Sequence, residues 1–355
     1  MKSIAMNDQP RLAVSADRRP SCWLRRGSAA AIIAVAVLMW SVPAMGSPWT
    51  LPGDELTLMM DQNFDYASSE YLPDGHHQFF PLQGRYRAQT MRLGARYGFS
   101  DRFEGAIGID ISNVNYQADA LVLDEFDETP TPGEATESIL DFSSSEFGAG
   151  DLRLSGRYNL ISGDIMVTTS TTAKVPTGYT SPTGTFTTTE DGTEQTGGQA
   201  TLGDGQADVT QALLIGSVLP TRTFLRAEAG ARYRFGAPGH QAVGNLRVGQ
   251  PIGSSLIAMA GVSGHLTVVE GDVIGTTFIA EDPTVAAADY TADNIRQQDL
   301  RLDRDAVDLS AGLLVDLGDI ELTANYQYTV WGRNTGAVHS LTVGSIFALP
   351  DVTGR

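Results

Sequence analysis

The chain contains almost no cysteine: Cys22 is the only one among 355 residues. A single thiol excludes a disulfide framework and any metal site built from several cysteines. Basic residues are also scarce, with 24 lysines and arginines against 42 aspartates and glutamates. This acidity argues against nucleic acid as a partner, because the phosphates would repel the protein. The sequence predicts no cofactor and no metal site, since none of the familiar binding spacings occurs in it.

Long hydrophobic runs are missing too, apart from one at residues 29–40. That run is shorter than the roughly 20 residues of a transmembrane helix. It follows a basic segment, and the small residues Ala44 and Gly46 precede a cleavage position between Gly46 and Ser47. These features predict a secretory signal peptide over residues 1–46 and a mature protein over residues 47–355. An uncleaved membrane anchor is the alternative.

The mature chain is strongly acidic. Cleavage would remove 6 of the 24 basic and 2 of the 42 acidic residues, which leaves 18 basic and 40 acidic residues and a net charge near −22. Many of the acids lie in residues 113–150, a segment without a basic residue. This pattern indicates solvated surface loops that share divalent cations with lipopolysaccharide. A calcium site in the segment is the alternative.

Apolar and polar residues alternate along most of the mature chain. In residues 90–99, Met91 and Leu93 share one face with an aromatic pair, whereas Arg92 and Arg96 share the other face with glycines. Such alternation is typical of β-strands. It predicts twelve strands, at residues 54–66, 85–99, 103–112, 148–160, 164–175, 206–219, 222–235, 241–250, 255–269, 305–317, 320–331 and 337–349.

The connections between these strands separate a barrel from a soluble sandwich. Tight turns follow every second strand, and most of the other connections are long polar segments. Short turns on one side and long loops on the other are typical of outer-membrane barrels, and aromatic residues gather near the strand ends. The sequence therefore predicts an all-β protein: a transmembrane antiparallel up-and-down β-barrel of the outer-membrane type, with both termini in the periplasm.

The last strand carries a feature of its own. Residues 342–349 hold a polar residue, then Gly344, then Phe347 and Leu349. This pattern is similar to the C-terminal signal that the barrel-assembly machinery binds, although six further residues follow it. The expected partners are thus this machinery, outer-membrane lipid with lipopolysaccharide, and small-molecule solutes.

The charged side chains on the face opposite the lipid are predicted to line the lumen, because charge facing hydrocarbon costs about 2–4 kcal/mol. They serve either as a selectivity surface for ions or as charge ladders that fill the interior. About the turn at Asp101, the hairpin sets Arg92 opposite Asp110 and Arg96 diagonal to Glu104. The charged lumen set is Arg92, Arg96, Glu104, Asp110, Arg153, Arg157, Arg226, Glu228, Arg232 and Arg234.

Other features suggest weaker hypotheses. Apolar residues in 120–123, 139–140 and 274–285 are candidates for a constriction or for capture of hydrophobic solutes. Arg85 and Arg87 fall on the outward face, where they contact lipopolysaccharide phosphate or lie at a solvated loop base. Ser263 and His265 share one inward face, but a hydrolase needs a base within reach and a third orienting group. No enzyme is predicted.

Five stretches of the mature chain resemble the MetA-like family of outer-membrane transporters, named for the phenol meta-pathway. They lie at residues 84–109, 147–160, 173–179, 202–217 and 226–236, in the family's order and spacing. The resemblance implies a barrel that passes small hydrophobic or aromatic compounds. The extended C-terminal tail and the acidic loops depart from the family.

The sequence as a whole predicts a passive outer-membrane channel or transporter for small solutes. The alternative is a structural surface barrel with a closed lumen, whose acidic loops bind partners or cations.

Overall fold

The computed structural model describes most of the chain beyond the expected signal peptide. Gly46 and Ser47 lie outside the described residues, as does the tail after residue 349. The described residues are 48–124, 137–140, 142–179, 181–182, 186–188, 194–196, 200–291 and 294–349.

Twelve strands close into one barrel in which every neighbouring pair is antiparallel. All twelve predicted strands are confirmed, with ends that shift by a few residues. Numbered along the chain, the barrel strands are β1 (Leu56–Ala67), β4 (Arg85–Ser100), β5 (Phe103–Gln117), β8 (Ser144–Ile161), β9 (Ile165–Pro176), β12 (Asp208–Val218), β13 (Phe224–Arg234), β14 (His240–Ile252), β15 (Leu256–Val269), β18 (Asp305–Asp316), β19 (Ile320–Arg333) and β21 (His339–Leu349).

The barrel closes between its first and last strands. Leu56 pairs with Leu349 at one end of this seam, and Tyr66 pairs with His339 at the other. The N-terminal start of β1 and the C-terminal end of β21 therefore lie at the same end of the barrel. The tight turns lie at that end as well, and Gly253 and Gly318 adopt positive φ angles in two of them. This end is the periplasmic end of an outer-membrane barrel.

Small sheets and two short 3₁₀ turns lie at the opposite, extracellular end. None of the helices in the described part of the chain is long and apolar enough to cross a membrane. The additional elements are β2 (Ser69–Tyr71), β3 (His77–Phe79), η1 (Pro81–Gln83), β6 (Leu121–Asp124), β7 (Glu137–Leu140), β10 (Phe186–Thr188), β11 (Glu194–Thr196), β16 (Val273–Ala280), η2 (Ala287–Asp289), β17 (Ile295–Arg301) and β20 (Thr335–Gly336).

Two barrel strands are longer than the sequence predicted. β5 continues to Gln117, five residues past its predicted end, and β8 begins at Ser144 rather than at residue 148. The two strands pair as far as Tyr116 and Ser144. Their upper ends are rich in polar residues, which the sequence pattern assigned to a loop. Backbone pairing between the neighbouring strands, rather than an apolar face, keeps these segments extended.

The outward face of the barrel is apolar. Because side chains alternate between the two faces of a strand, every second residue points away from the lumen. Large hydrophobic side chains that remain exposed on this face include Leu58, Ile107, Leu154, Leu213, Ile215, Leu246, Leu309 and Leu313. An apolar belt of this extent all around a closed sheet faces lipid, because exposing it to water would cost free energy.

Candidate functional site in the barrel lumen

Glu104 lies at the centre of a buried ion cluster near the periplasmic end. Its side chain is 0% exposed, and it accepts two hydrogen bonds from Arg96, at 2.9 and 2.7 Å. Arg157 Nη1 donates a further bond to Glu104 Oε1 at 3.0 Å. The diagonal relation between Arg96 and Glu104 is as predicted. Bidentate pairing of this kind stabilises buried charges that would otherwise be costly.

A second cluster lies nearer the middle of the same three strands. Asp110 accepts from Arg92 Nε at 2.8 Å and from Arg153 Nη1 at 2.5 Å. Arg92 pairs with Asp110 in the β4–β5 register, which confirms that predicted pairing. Six of the ten predicted charged residues thus meet in two clusters of one carboxylate and two guanidinium groups.

A third cluster joins an extracellular loop to the barrel wall. Asp204, between β11 and β12, accepts from Lys174 Nζ and from Arg234 Nη2, each at 2.5 Å. Burial raises the pKa of a carboxyl group, but the Lys174 ammonium and the Arg234 guanidinium outweigh it, and the pKa of Asp204 falls to about 2. Tyr179 on the same loop donates to Asp151 on β8 at 2.6 Å. The loop is therefore attached to the wall at two points.

The residues before β1 form an N-terminal strap, defined as residues 48–54, that lies inside the periplasmic mouth. Leu51 N donates to Glu104 Oε2 at 2.9 Å, so the middle of the strap contacts the buried ion cluster. Thr168 Oγ1 on β9 donates to the carbonyl oxygen of Pro48 at 2.5 Å. The Trp49 ring meets the Phe224 ring of β13 edge-on, with centroids 6.5 Å apart. The strap thus extends from β5 across to β13.

Two inward-facing glycines make room for this strap. A Cβ atom at Gly216 would lie 2.3 Å from Pro48 Cγ, and one at Gly98 would lie 1.9 Å from the Pro52 carbonyl oxygen. Both distances are far below van der Waals contact, so larger residues would displace the strap. Sequence reasoning missed the strap; the proline and glycine residues around residues 48–53 were the one available signal.

The remaining predicted charges lie on or near β13. Arg232 Nη1 donates to Gln241 at 3.0 Å, and Arg226 faces Arg247 across the β13–β14 register. Glu228 lines a cavity of about 170 Å³ on the inner wall, together with Arg232, Asn245, Ser263, His265 and Asp308. Asn245 Oδ1 is buried there without a hydrogen-bond partner among the described residues.

The cavity also bears on the enzyme hypothesis. Ser263 and His265 both line it, and Asp308 pairs with Ser263 in the β15–β18 register. Within the described residues, however, no hydrogen bond joins any two of these three side chains. The arrangement lacks the connected base that a serine nucleophile needs.

An apolar cluster joins three extracellular loops, and we call it the loop cap. It consists of Leu82, Phe142, Ala280 and Tyr290, with partly buried neighbours that include Val285. Of the apolar loop residues that the sequence singled out, Val285 contacts this cluster. The side chains of residues 120–123 and 139–140 lie outside the described residues, apart from Ala120, which is exposed.

Comparison with known proteins gives the same fold. No family model matches the chain, and no curated protein sequence matches it. Among solved structures, an outer-membrane channel from Pseudomonas putida F1 matches with a TM-score of 0.55 at 10% identity, covering 86% of this chain and 98% of that one. The chain is an outer-membrane β-barrel.

Two further solved structures match less well. The monoaromatic hydrocarbon channel CymD has a TM-score of 0.40 at 9% identity, covering 84% of this chain and 89% of that one. A FadL homologue from Pseudomonas aeruginosa has a TM-score of 0.38 at 9% identity, covering 88% and 100%. At 10% identity the likeness to the Pseudomonas putida channel shows the fold alone, and the resemblance to the MetA-like family stays a prediction.

Proposed function

We propose that this outer-membrane barrel is a channel for the passive passage of small solutes, and that the N-terminal strap controls its periplasmic mouth. The strap carries the proposal because it crosses the lumen and is attached by a few noncovalent contacts. Each such hydrogen bond contributes about 1 kcal/mol, so the strap can leave without unfolding the barrel.

The positions of the charged clusters and of the cavity on the lumen wall support solute passage rather than a filled interior. The ion clusters around Glu104 and Asp110 lie along β4, β5 and β8, whereas the cavity with Glu228 and Asn245 lies on the opposite part of the wall. A buried acceptor such as Asn245 Oδ1 can accept a hydrogen bond from a passing solute or from water. The MetA-like resemblance implies hydrophobic or aromatic solutes, and we propose these as the class to test first.

A reversible cross-link tests strap control. The Cβ position at Gly216 lies 3.2 Å from Pro48 Cβ, close to the roughly 3.5–4.5 Å that a disulfide requires. The predicted mature chain has no cysteine of its own, so a Pro48→Cys/Gly216→Cys variant forms one defined bond. We expect low planar-bilayer conductance when this variant is oxidised and higher conductance after reduction.

The control is a cysteine pair that leaves the strap free. Thr90 and Ser112 lie on neighbouring strands with their hydroxyl oxygens 2.9 Å apart. Oxidation of a Thr90→Cys/Ser112→Cys variant should leave conductance unchanged. Equal conductance of the strap variant in both redox states would rule out strap control.

The competing function is a surface barrel whose lumen stays closed while its acidic loops bind cations. The filled periplasmic mouth is the observation that favours it. Deleting residues 48–53 distinguishes the two functions. Liposome swelling with sugars, fatty acids or aromatic compounds supports a channel, and the absence of swelling with every solute supports the surface barrel.

A further inference from the structure

Two arginines differ from the other basic residues of the barrel. Arg85 and Arg87 lie on the outward face of β4 and are exposed. Neither side chain forms an ion pair or hydrogen bond with any described residue. Arg333 on β19, by contrast, forms an ion pair with Asp305. The other lysine and arginine residues of the barrel strands occupy inward positions: Arg92, Arg96, Arg153, Arg157, Lys174, Arg226, Arg232, Arg234 and Arg247.

The height of these two arginines coincides with the membrane boundary. Arg87 pairs with Tyr66 of β1, and Phe64 lies two residues nearer the bilayer centre on the same face. Tyr66 and Phe64 are 40% and 41% exposed, as expected of an aromatic girdle at the level of the lipid headgroups. Arg85 lies two residues further out, about 7 Å along the strand. Both guanidinium groups therefore reach the zone of the lipid phosphates.

Neutral hydrogen-bond donors surround the pair. Arg87 lies opposite Asn115 of β5, and Arg85 lies opposite Gln117. With the two outward amides one step below, these residues form what we call the arginine patch: Arg85, Arg87, Gln89, Asn113, Asn115 and Gln117. None of the six is acidic, and the acid that follows along the chain, Asp119, lies beyond the last patch residue.

Directly below the patch the same outward face becomes apolar. On β4 it continues with Met91 and Leu93, and on β5 with Ile111, Ile109 and Ile107. A ligand that occupies the patch and the surface below it thus needs an anionic head and hydrocarbon chains. Free phosphate would contact only the arginine patch, whereas a phosphorylated lipid would contact both the patch and the apolar surface below it.

We propose that the arginine patch binds the phosphate of an outer-leaflet lipid, with lipopolysaccharide as the lipid of that leaflet. Guanidinium groups bind phosphate oxygens in a bidentate manner, and the neighbouring amides donate to further oxygens of the headgroup. The expected charge of the mature protein, near −22, repels anionic lipid elsewhere, so a local cationic patch decides where such a lipid binds.

The test compares two variants that lose the same charge. Arg85→Gln/Arg87→Gln removes the patch, and Arg102→Gln/Arg222→Gln removes two exposed arginines at periplasmic turns. Purified mature proteins are titrated with lipopolysaccharide, and bound lipid is measured by native mass spectrometry. We expect at least tenfold weaker binding for the patch variant, since each charge-assisted contact contributes roughly tenfold or more, and wild-type binding for the turn variant.

A second titration separates the phosphate from the acyl chains. Lipopolysaccharide stripped of its phosphates should bind the wild type and the patch variant equally. Circular dichroism and heat-induced gel mobility verify that both variants are folded barrels. Equal binding of intact lipopolysaccharide by the patch variant and the wild type, or an equal loss in the turn variant, would overturn the proposal, whatever the outcome of the channel experiments.

Discussion

Replacing Glu104 with alanine should destabilise the barrel more than any other single exchange in the lumen. The side chain is fully buried, and it accepts hydrogen bonds from Arg96, Arg157 and the strap. Its removal leaves two guanidinium groups, each at most 8% exposed, without their shared counter-charge. Loss of one partner from a buried ion pair costs about 3–5 kcal/mol, and we expect Glu104→Ala to fall in that range.

The assay is urea unfolding in lipid vesicles, followed by tryptophan fluorescence. A change in midpoint at constant slope reports the free energy of unfolding. Glu321→Ala is the matched control, because Glu321 is also on the inward face near the periplasmic end but lies opposite the acidic Asp316. Removing that like-charge contact should leave stability unchanged or raise it.

A double variant shows whether the loss comes from the ion cluster. Adding Arg157→Ala to Glu104→Ala removes one of the two stranded cations, so the double variant should be less destabilised than the two single changes added together. A loss below about 1 kcal/mol for Glu104→Ala, the size of an exposed salt bridge, would refute the assignment of Glu104 as the central counter-charge.

Three further predictions concern the strap and the loops. The folded pKa of Asp204 is about 2, below its ordinary 3.8. Its attachment of the loop is therefore present above the ordinary value and is lost as the pH falls through about 2. Protease cutting of the loop should be unchanged between pH 7 and 5, and it should rise at neutral pH in Asp204→Asn. Gly216→Val should displace the strap and raise conductance, whereas Gly156→Val, whose Cβ meets nothing nearer than 3.8 Å, should not. Leu82→Ala removes a side chain that is 1% exposed from the loop cap; at a cost of about 2–5 kcal/mol it should expose the loops to protease on intact cells.

The barrel itself was predictable from sequence because its rules are periodic. Alternation with a period of two assigns each side chain to lipid or lumen, and a tight turn then fixes the register of a hairpin. The pairing of Arg92 with Asp110 follows from the position of the turn at Asp101 alone. Applied to the turn at Gly318 and Asp319, the same reasoning sets Asp316 opposite Glu321, and the β18–β19 register has this pairing.

The strap and the loop attachments follow no period, so they were not predictable. Thr168 and Pro48 are 120 residues apart in sequence, and they meet because closure of the sheet brings β9 near the strap. Asp204 likewise contacts Lys174 and Arg234, each 30 residues away, across neighbouring strands. Contacts of this kind depend on the finished cylinder, whereas a sequence pattern describes one strand or hairpin at a time.

The seam between β1 and β21 has a consequence for biogenesis. Leu56 must find Leu349 before any cylinder exists, so a nascent chain that lacks its last residues has two open edges and no enclosed space. Such long-range closure is slow, since the entropy of a nearly full-length loop must be lost first. The two open edges can therefore pair with other chains until the last strand is complete.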